Sequence, residues 1–376
     1  MKILFINDFD EKGGAEVFVN SLSEKLNEKG HTTQTINPVS EEKYVTYRDR
    51  LKKYLQKYFS PFNKRKLRKE ILEYDPDIIH LNNIHHLTIP VLRVVKALDC
   101  PVVFTFHDYS YFTYCGGYHG EEKCDGTIEK CYKSGEISLK TYLFRKPITS
   151  LIKYYTQKAA DLVTAPSNDL KEVLEKFTEA EKIPNFVDTE FYQPKGNNRD
   201  YFLFVGRLSE EKGLDILLEA YQKAEIDKPL KIAGKGEREK YEKMAEELGI
   251  QDKVEFEGFV PEKELPELYS NAIATVMPSK WRESAGIVLL ESQACGTPVI
   301  ASGRGGMREY LRNNKTGIVL EELNSNELSE TFEEFQSTNQ ENYEGYSKNT
   351  LKFANNHDIN RLSQMIEEKY EELEGT

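Results

Sequence analysis

Short runs rich in β-branched and aromatic residues alternate with longer amphipathic stretches along the chain. The runs are KILFIN (2–7), TTQTIN (32–37), DIIHLN (77–82), PVVFTF (101–106), DLVTAP (161–166), YFLFVG (201–206), LKIAG (230–234), KVEFEG (253–258), IATVMP (273–278), PVIAS (298–302) and GIVLE (317–321). Their apolar residues are mostly continuous, as in strands buried on both faces. Between them, stretches such as 16–29, 214–224, 237–248, 262–270 and 286–295 have helical patterning. Strand–helix alternation predicts parallel sheets covered by helices on both faces, an α/β protein. Eleven strands are too many for one doubly wound domain of this length, so two Rossmann-like domains are expected. The seam is placed in Ile183–Arg199, rich in Pro, Asn, Asp and Gly, with a fresh strand at Tyr201. The expected division is 1–183 and 184–354, with a C-terminal helix within 355–376 packing back on the first domain.

Composition narrows the class. Of 376 residues, 39% are hydrophobic and 30% charged. No apolar run reaches the roughly 18 residues that span a bilayer. MKILFIN leads straight into a strand without a small-residue cleavage site, so a cytoplasmic location is expected. Charge is unevenly divided. Residues 1–165 carry 25 Lys+Arg and 21 Asp+Glu, net +4, and the remainder 26 and 42, net −16. The whole does not suggest nucleic acid, whose partners usually carry a basic domain. In residues 48–69, basic side chains interleave with Leu, Tyr and Phe. That pattern suits peripheral contact with the inner, anionic face of a membrane, or a solvated helix pair with its apolar face inward. The five cysteines are expected to be thiols or metal ligands rather than disulfides.

The stretch RESAGIVLLE holds Glu283 and Glu291, eight positions apart. On one helix they would point about 80° apart, a poor spacing for a catalytic carboxylate pair. The expectation is that Glu283 lies in a loop, a helix opens at Ser284 or Ala285, and Glu291 sits about two turns in, ~12 Å further on. The helix N-terminus would then lie near Glu283 as an anion site. Such a row fits an extended ligand with hydroxyls at both ends and phosphate in the middle. Three more segments fall at predicted strand ends, where open α/β sheets collect ligands. Gly13 and Gly14 let a phosphate approach the backbone, or form a plain turn. Arg207 and Lys212 in VGRLSEEKG put two cations on one rim, suited to a diphosphate or simply surface charge. Gly234 in IAGKGE is a third turn.

In order along the chain, GGAE (13–16), IPNFVD (183–188), GRL…KG (206–213), GKGE (234–237), GFVP (258–261), MPS (277–279), the E-x7-E pair and SQACGTPVIAS (292–302) resemble the retaining glycosyltransferases of family 4. The resemblance covers nearly the whole chain. It implies the GT-B fold, two Rossmann-like domains facing across a cleft. It also implies an NDP-sugar donor, with UDP or GDP as nucleotide, a hexose moved with retention, and neither metal nor other cofactor. The acceptor would be a hydroxyl of a glycan or lipid-linked glycan in surface polysaccharide biosynthesis. On this resemblance, Glu291 binds the ribose hydroxyls. Glu283 binds the transferred sugar, with the amides of Ala285, Gly286, Ile287 and Val288 near sugar and phosphates. Arg207 and Lys212 hold the diphosphate, helped by Gly13 and Gly14. Gly234 lines the donor site, and Phe259 and Val260 border the base. His107 matches the family's histidine beside the sugar, so His107, Glu283, Arg207 and Lys212 form the implied catalytic set. Two departures stand out: Ser284-Ala285 where Gly-Phe is frequent, which bears on sugar choice, and Phe186 where Gly is common.

Other features weigh less. Asp8-Phe9-Asp10 has the form of a DxD metal motif but leads into Gly13, and is read as a decoy. Asp108 either orients His107 or faces water. The insertion YCGGYHGEEKCDGTIEKCYKSG carries Cys115, His119, Cys124 and Cys131 at a spacing irregular for zinc, while Tyr109, Tyr111, Tyr114 and Tyr118 offer faces for sugar stacking or simply pack. Two rivals are kept: a glycan phosphorylase, which would need a pyridoxal phosphate lysine, and a non-catalytic nucleotide-sugar-binding protein.

Overall fold

The computed structural model describes the chain except for residues 9–12, 38–60, 86–87, 113–126, 136, 197 and 376. It forms two compact units, Met1–Pro184 with Ile359–Thr376, and Asn185–Asp358.

In the first unit, β1 (Lys2–Ile6), β2 (Thr32–Ile36), β3 (Ile78–Leu81), β4 (Val102–Thr105), β5 (Leu162–Ala165) and β6 (Glu181–Lys182) form one parallel sheet in the order β2-β1-β3-β4-β5-β6. Its helices are α1 (Gly14–Glu28), α2 (Pro61–Tyr74), α3 (Thr88–Val95), α4 (Ile128–Lys133), α5 (Leu139–Ala159), α6 (Asn168–Leu174) and the C-terminal α13 (Ile359–Glu374). The central strands β3 and β4 are buried at every residue because each is covered on both faces. Helix α13 closes on α1. Glu367 takes Lys29 and His31, each at 2.7 Å, and the buried Tyr370 hydroxyl meets His80 Nδ1 at 2.5 Å. His80 Nε2 continues to Thr105 at 2.7 Å, and Thr105 to Thr164 at 2.6 Å, so three strands and the last helix share one buried polar line. Burial, then repulsion from His107, pushes the His80 imidazole down to about 3, so it is neutral.

In the second unit, β7 (Tyr201–Val205), β8 (Leu230–Ala233), β9 (Val254–Gly258), β10 (Ala272–Met277), β11 (Val299–Ala301) and β12 (Gly317–Val319) form a parallel sheet in the order β12-β11-β10-β7-β8-β9. Its helices are α7 (Leu214–Lys223), α8 (Arg238–Glu247), α9 (Leu265–Ser270), α10 (Ile287–Ala294), α11 (Ser325–Ser337) and α12 (Gln340–Asn355). The eleven expected strands all form. The twelfth, β6, is a two-residue polar edge strand. The stretch 262–270 is a 3-10 turn, Glu262–Glu264, followed by α9. Among the described residues, no helix is long and apolar enough to cross a membrane.

Candidate active site

Strand order in the second sheet reverses at β7. The chain steps from β7 to β8 and β9 on one side, then returns to β10 on the other. A crevice opens outside the carboxyl ends where an open sheet reverses in this way. The loop leaving β7 carries Arg207, the 3-10 turn Glu210–Lys212 and Gly213. The loop leaving β10 carries Ser279, Lys280 and Glu283. The two loops are laced together. Lys280 and Trp281 amides donate to the Glu211 carbonyl at 2.9 and 3.1 Å, and the Ser279 hydroxyl oxygen lies 3.2 Å from the same oxygen. Gly213 turns with φ +74°, and a Cβ there would lie 1.9 Å from the Pro278 carbonyl oxygen. Only glycine permits both the turn and the approach.

This lacing delivers Lys212 to Glu283, Nζ to Oε1 at 2.5 Å. The buried Ser279 hydroxyl donates to the same carboxylate oxygen at 2.9 Å. Beneath the pair, Lys280 bonds Asp215 at 2.5 Å, and Arg304 donates to the Lys280 carbonyl at 3.0 Å. Arg207 reaches out from the β7 loop, its side chain 69% exposed, with Glu211 at 3.2 Å.

The helix after Glu283 opens later than the sequence suggests. Ser284 and Ala285 are not helical. Gly286, at φ 135° and ψ 88°, precedes the first helical residue, Ile287. The cause is non-local: the Glu283 carbonyl accepts from Gly306 at 2.7 Å, which holds the segment in a bridge to Gly305. Glu291 is therefore the fifth helical residue, about one turn in, rather than two. It is 6% exposed and accepts from the Tyr269 hydroxyl at 2.7 Å, with the Tyr192 hydroxyl also beside it. Burial pushes its carboxyl up to about 7, against the two tyrosines that favour the charged form.

Gly234 has a demanding place of its own. A Cβ there would stand 1.7 Å from the Gly206 carbonyl oxygen, so glycine is required by the crossing of two strand exits. At the end of β9, Phe259 is 54% exposed with the Lys235 ammonium 4.5 Å above its ring, and Val260 is half-buried beside it.

In the first unit the strand order reverses between β1 and β3. Their exit loops are tied by Asp8 N to Asn83 O at 2.5 Å and Asn83 N to Asn7 Oδ1 at 3.0 Å. A Cβ at Gly13 would meet the Glu16 carboxylate at 2.5 Å, whereas one at Gly14 would meet no described atom within 4 Å. His107 leaves β4 with Nε2 at 2.9 Å from Asn82 Oδ1 and its ring edge-on to Phe18. An amide oxygen accepts, so Nε2 carries the hydrogen. Burial pushes this imidazole down to about 4.

Asp108 does not orient His107. Its Oδ2 takes His85 Nε2 at 2.8 Å, and its Oδ1 takes the Ser110 amide and hydroxyl at 2.7 and 2.5 Å. Burial would raise this carboxyl, but His85 and Ser110 outweigh it and hold it well below the usual range. His85 lies flat on Tyr111 at 3.9 Å. Tyr109 and Tyr111 are buried and pack in the core, so neither offers a face for sugar. Phe9, Asp10, Tyr114, Cys115, Tyr118, His119 and Cys124 lie outside the described residues; Asp8 and Cys131 are buried.

The family description "Glycosyltransferase Family 4" matches residues 12–191, and "Glycosyl transferases group 1" matches residues 188–353. A Klebsiella pneumoniae relative, an uncharacterized 42.6 kDa protein in the cps region, is 30% identical over 334 residues, spanning 80% of this chain and 84% of its own. The chain belongs to glycosyltransferase family 4. Among solved structures, Anabaena Alr3699/HepE in complex with UDP-glucose shares the fold at TM-score 0.74 and 19% identity, over 99% of this chain and 100% of that one. WaaG, a glycosyltransferase involved in lipopolysaccharide biosynthesis, does so at TM-score 0.69 and 17% identity over the full length of both. The two parallel-sheet units of this glycosyltransferase are thus of the GT-B class. Its site also holds residues that sequence reading passed over. Ser279 was visible only as part of MPS, and Lys280–Asp215, Tyr192, Tyr269, Asn82 and His85 carried no local signal beyond standing near strand or helix ends.

Proposed function

We propose that this glycosyltransferase moves a hexose, with retention and without a metal, from a UDP- or GDP-sugar to a hydroxyl of a glycan or lipid-linked glycan in surface polysaccharide biosynthesis. The observation that carries this reading is the Lys212–Glu283–Ser279 cluster at the switch point of the second sheet, with Arg207 exposed on the same rim. Lys212 and Glu283 satisfy each other without ligand. An entering donor divides them: the diphosphate takes Lys212 and Arg207, and the sugar hydroxyls take the carboxylate that Ser279 holds in place. The first amides of α10 face the same anion. Glu291 and its two tyrosines form the ribose end, and Phe259 the base end.

In the reaction, the bond from the anomeric carbon to the diphosphate oxygen breaks and negative charge gathers on the departing group. The two cations and the amides neutralise that charge, which takes the place of a metal. The acceptor oxygen bonds to the same face of the sugar, and its proton passes to the departing phosphate. No protein base is needed. His107, neutral and fixed by Asn82, contributes a hydrogen bond beside the sugar rather than a charge.

The UDP-glucose held by HepE and the role of WaaG in lipopolysaccharide support a nucleotide-sugar donor and a surface-glycan acceptor. The test is incubation with a panel of UDP- and GDP-sugars, with and without EDTA. Slow sugar release, insensitive to chelator, with product of the donor's anomeric configuration by NMR, is expected. Tight binding without turnover would mean a sensor, and turnover abolished by EDTA would end the metal-independent reading.

A further inference from the structure

Helix α5 is unlike the rest of this acidic chain. LKTYLFRKPITSLIKYYTQKA contains Lys140, Arg145, Lys146, Lys153 and Lys158 and no Asp or Glu. Its inner face is ordinary, with Ile148, Thr149, Ile152, Thr156 and Ala159 buried. Its outer face leaves Leu139, Leu143, Phe144, Leu151 and Tyr154 at 53%, 61%, 55%, 37% and 48% exposure. With Tyr132 of α4, these are six of the nine large exposed hydrophobics among the described residues, so the apolar surface is concentrated here rather than scattered. At 100° per residue, Leu139, Lys140, Leu143, Leu151, Tyr154 and Lys158 fall within an arc of about 120°.

The cationic character extends to the neighbouring helices. On and just after α3, Arg93 and Lys96 lie over Tyr155 and Tyr154 at 5.9 and 5.6 Å. Helix α2, which packs on α3, carries Lys64, Arg65, Lys66, Arg68 and Lys69. Lys64 is held below its ordinary value by partial burial and by Arg93, a sign that cations crowd together here. The acid that meets α5 from α4 is Glu129, 3.5 Å from Lys146.

We infer that the outer face of α5, continued by the cations of α2 and α3, docks on the surface of an anionic phospholipid bilayer. Charge complementarity selects this occupant. A second copy would press lysines against lysines, and the cores of protein interfaces are depleted of lysine. A bare polyanion would use the cations but leave the leucines in water. A bilayer interface takes both, the apolar side chains at the acyl boundary and the cations among the headgroups. The membrane contact expected of residues 48–69 thereby falls mainly on a different element; residues 48–60 lie outside the described part of the chain. The docking does not depend on which sugar is moved.

Co-sedimentation of the full chain with vesicles tests it, comparing pure phosphatidylcholine with vesicles containing about 30% phosphatidylglycerol. Two double variants at exposed positions, Leu143→Ser/Leu151→Ser and Lys140→Glu/Lys158→Glu, leave the core intact. The wild type should favour the anionic vesicles by roughly tenfold or more, each double variant should lose that preference, and high salt should weaken the wild type. Donor hydrolysis in solution should persist in both variants, which separates a failure of docking from a failure of the catalytic reading. Equal binding to neutral and anionic vesicles, or variants that bind like the wild type, would overturn the proposal. So would a dimer that Leu143→Ser/Leu151→Ser dissociates.

Discussion

The two sheets present different chemistry at their carboxyl ends. In the second unit the exit loops are charged and close-laced: Lys212 against Glu283, Lys280 against Asp215, and glycines set where backbone presses on backbone. In the first unit the described residues of the corresponding loops carry fewer charges: Asn7, Asn82, Asn83 and a neutral His107, with two carboxylates, the buried Asp8 and Asp108, the latter engaged by His85 and Ser110. A preorganised charged site suits a charged ligand whose leaving group must be stabilised. A neutral one suits hydroxyls. The contrast is in keeping with the proposal that the diphosphate is held by Lys212 and Arg207 of the second unit, with Glu283 beside the sugar.

The comparison breaks most sharply at Lys212. Lys212→Ala should lower kcat by 10²–10³, the usual cost of removing one donor to developing charge, ~3–4 kcal/mol, while thermal unfolding moves little. A loss confined to KM would mean that Lys212 binds without acting on the transition state. Gly213→Ala should cost comparable activity and destabilise the unit as well, because its Cβ meets Pro278; unfolding by circular dichroism against wild type checks this.

Glu291 sharpens the contrast by pH. Its folded-state carboxyl, at about 7, lies above the ordinary 4.5. Below 4.5 it is protonated in both states and costs nothing. Between 4.5 and 7 the unfolded chain loses its proton first, so stability falls as pH rises, by up to about 3 kcal/mol above 7. Glu291→Gln should therefore raise the melting temperature at pH 8, leave it nearly unchanged at pH 4.5, and weaken donor binding by calorimetry. Unchanged donor affinity would remove Glu291 from the site. Within the first unit, Tyr370→Phe strips a partner from buried His80 and should cost about 1–3 kcal/mol in chemical denaturation. The smallest stability effect is expected at Arg207→Gln, whose exposed pair with Glu211 is worth at most about 1 kcal/mol. If kcat also holds, the diphosphate rests on Lys212 alone.

Much of this architecture was legible from local pattern. Eleven strands announced themselves as short runs rich in β-branched and aromatic residues, most of them continuous and apolar because both faces are covered. The twelfth, Glu181–Lys182, is a polar edge pair and offered no such run. What failed was non-local. A helix was expected to open at Ser284 or Ala285, but a hydrogen bond from Gly306, distant in sequence, holds that segment out of the helix, which opens at Ile287. Asp108 looked like a partner for His107 because the two are adjacent, yet successive side chains at a strand's end point to opposite sides, and Asp108 turns to His85. The tyrosines around Glu291 arrive from the domain seam and from α9, so its raised carboxyl could not be read from RESAGIVLLE. Gly234 was read as a turn at a strand end, and the close approach of the Gly206 carbonyl that requires glycine there could not be read from IAGKGE.

The closing of α13 on the first unit has a consequence for biosynthesis. Residues 1–184 are made before the second unit, yet the helix that supplies Tyr370 and Glu367 to them is made only after it. At ordinary translation rates that delay is about 10–40 s. The second unit is contiguous in sequence and needs no later segment, so a chain truncated just short of residue 359 should hold one protease-resistant body and one still open to cleavage.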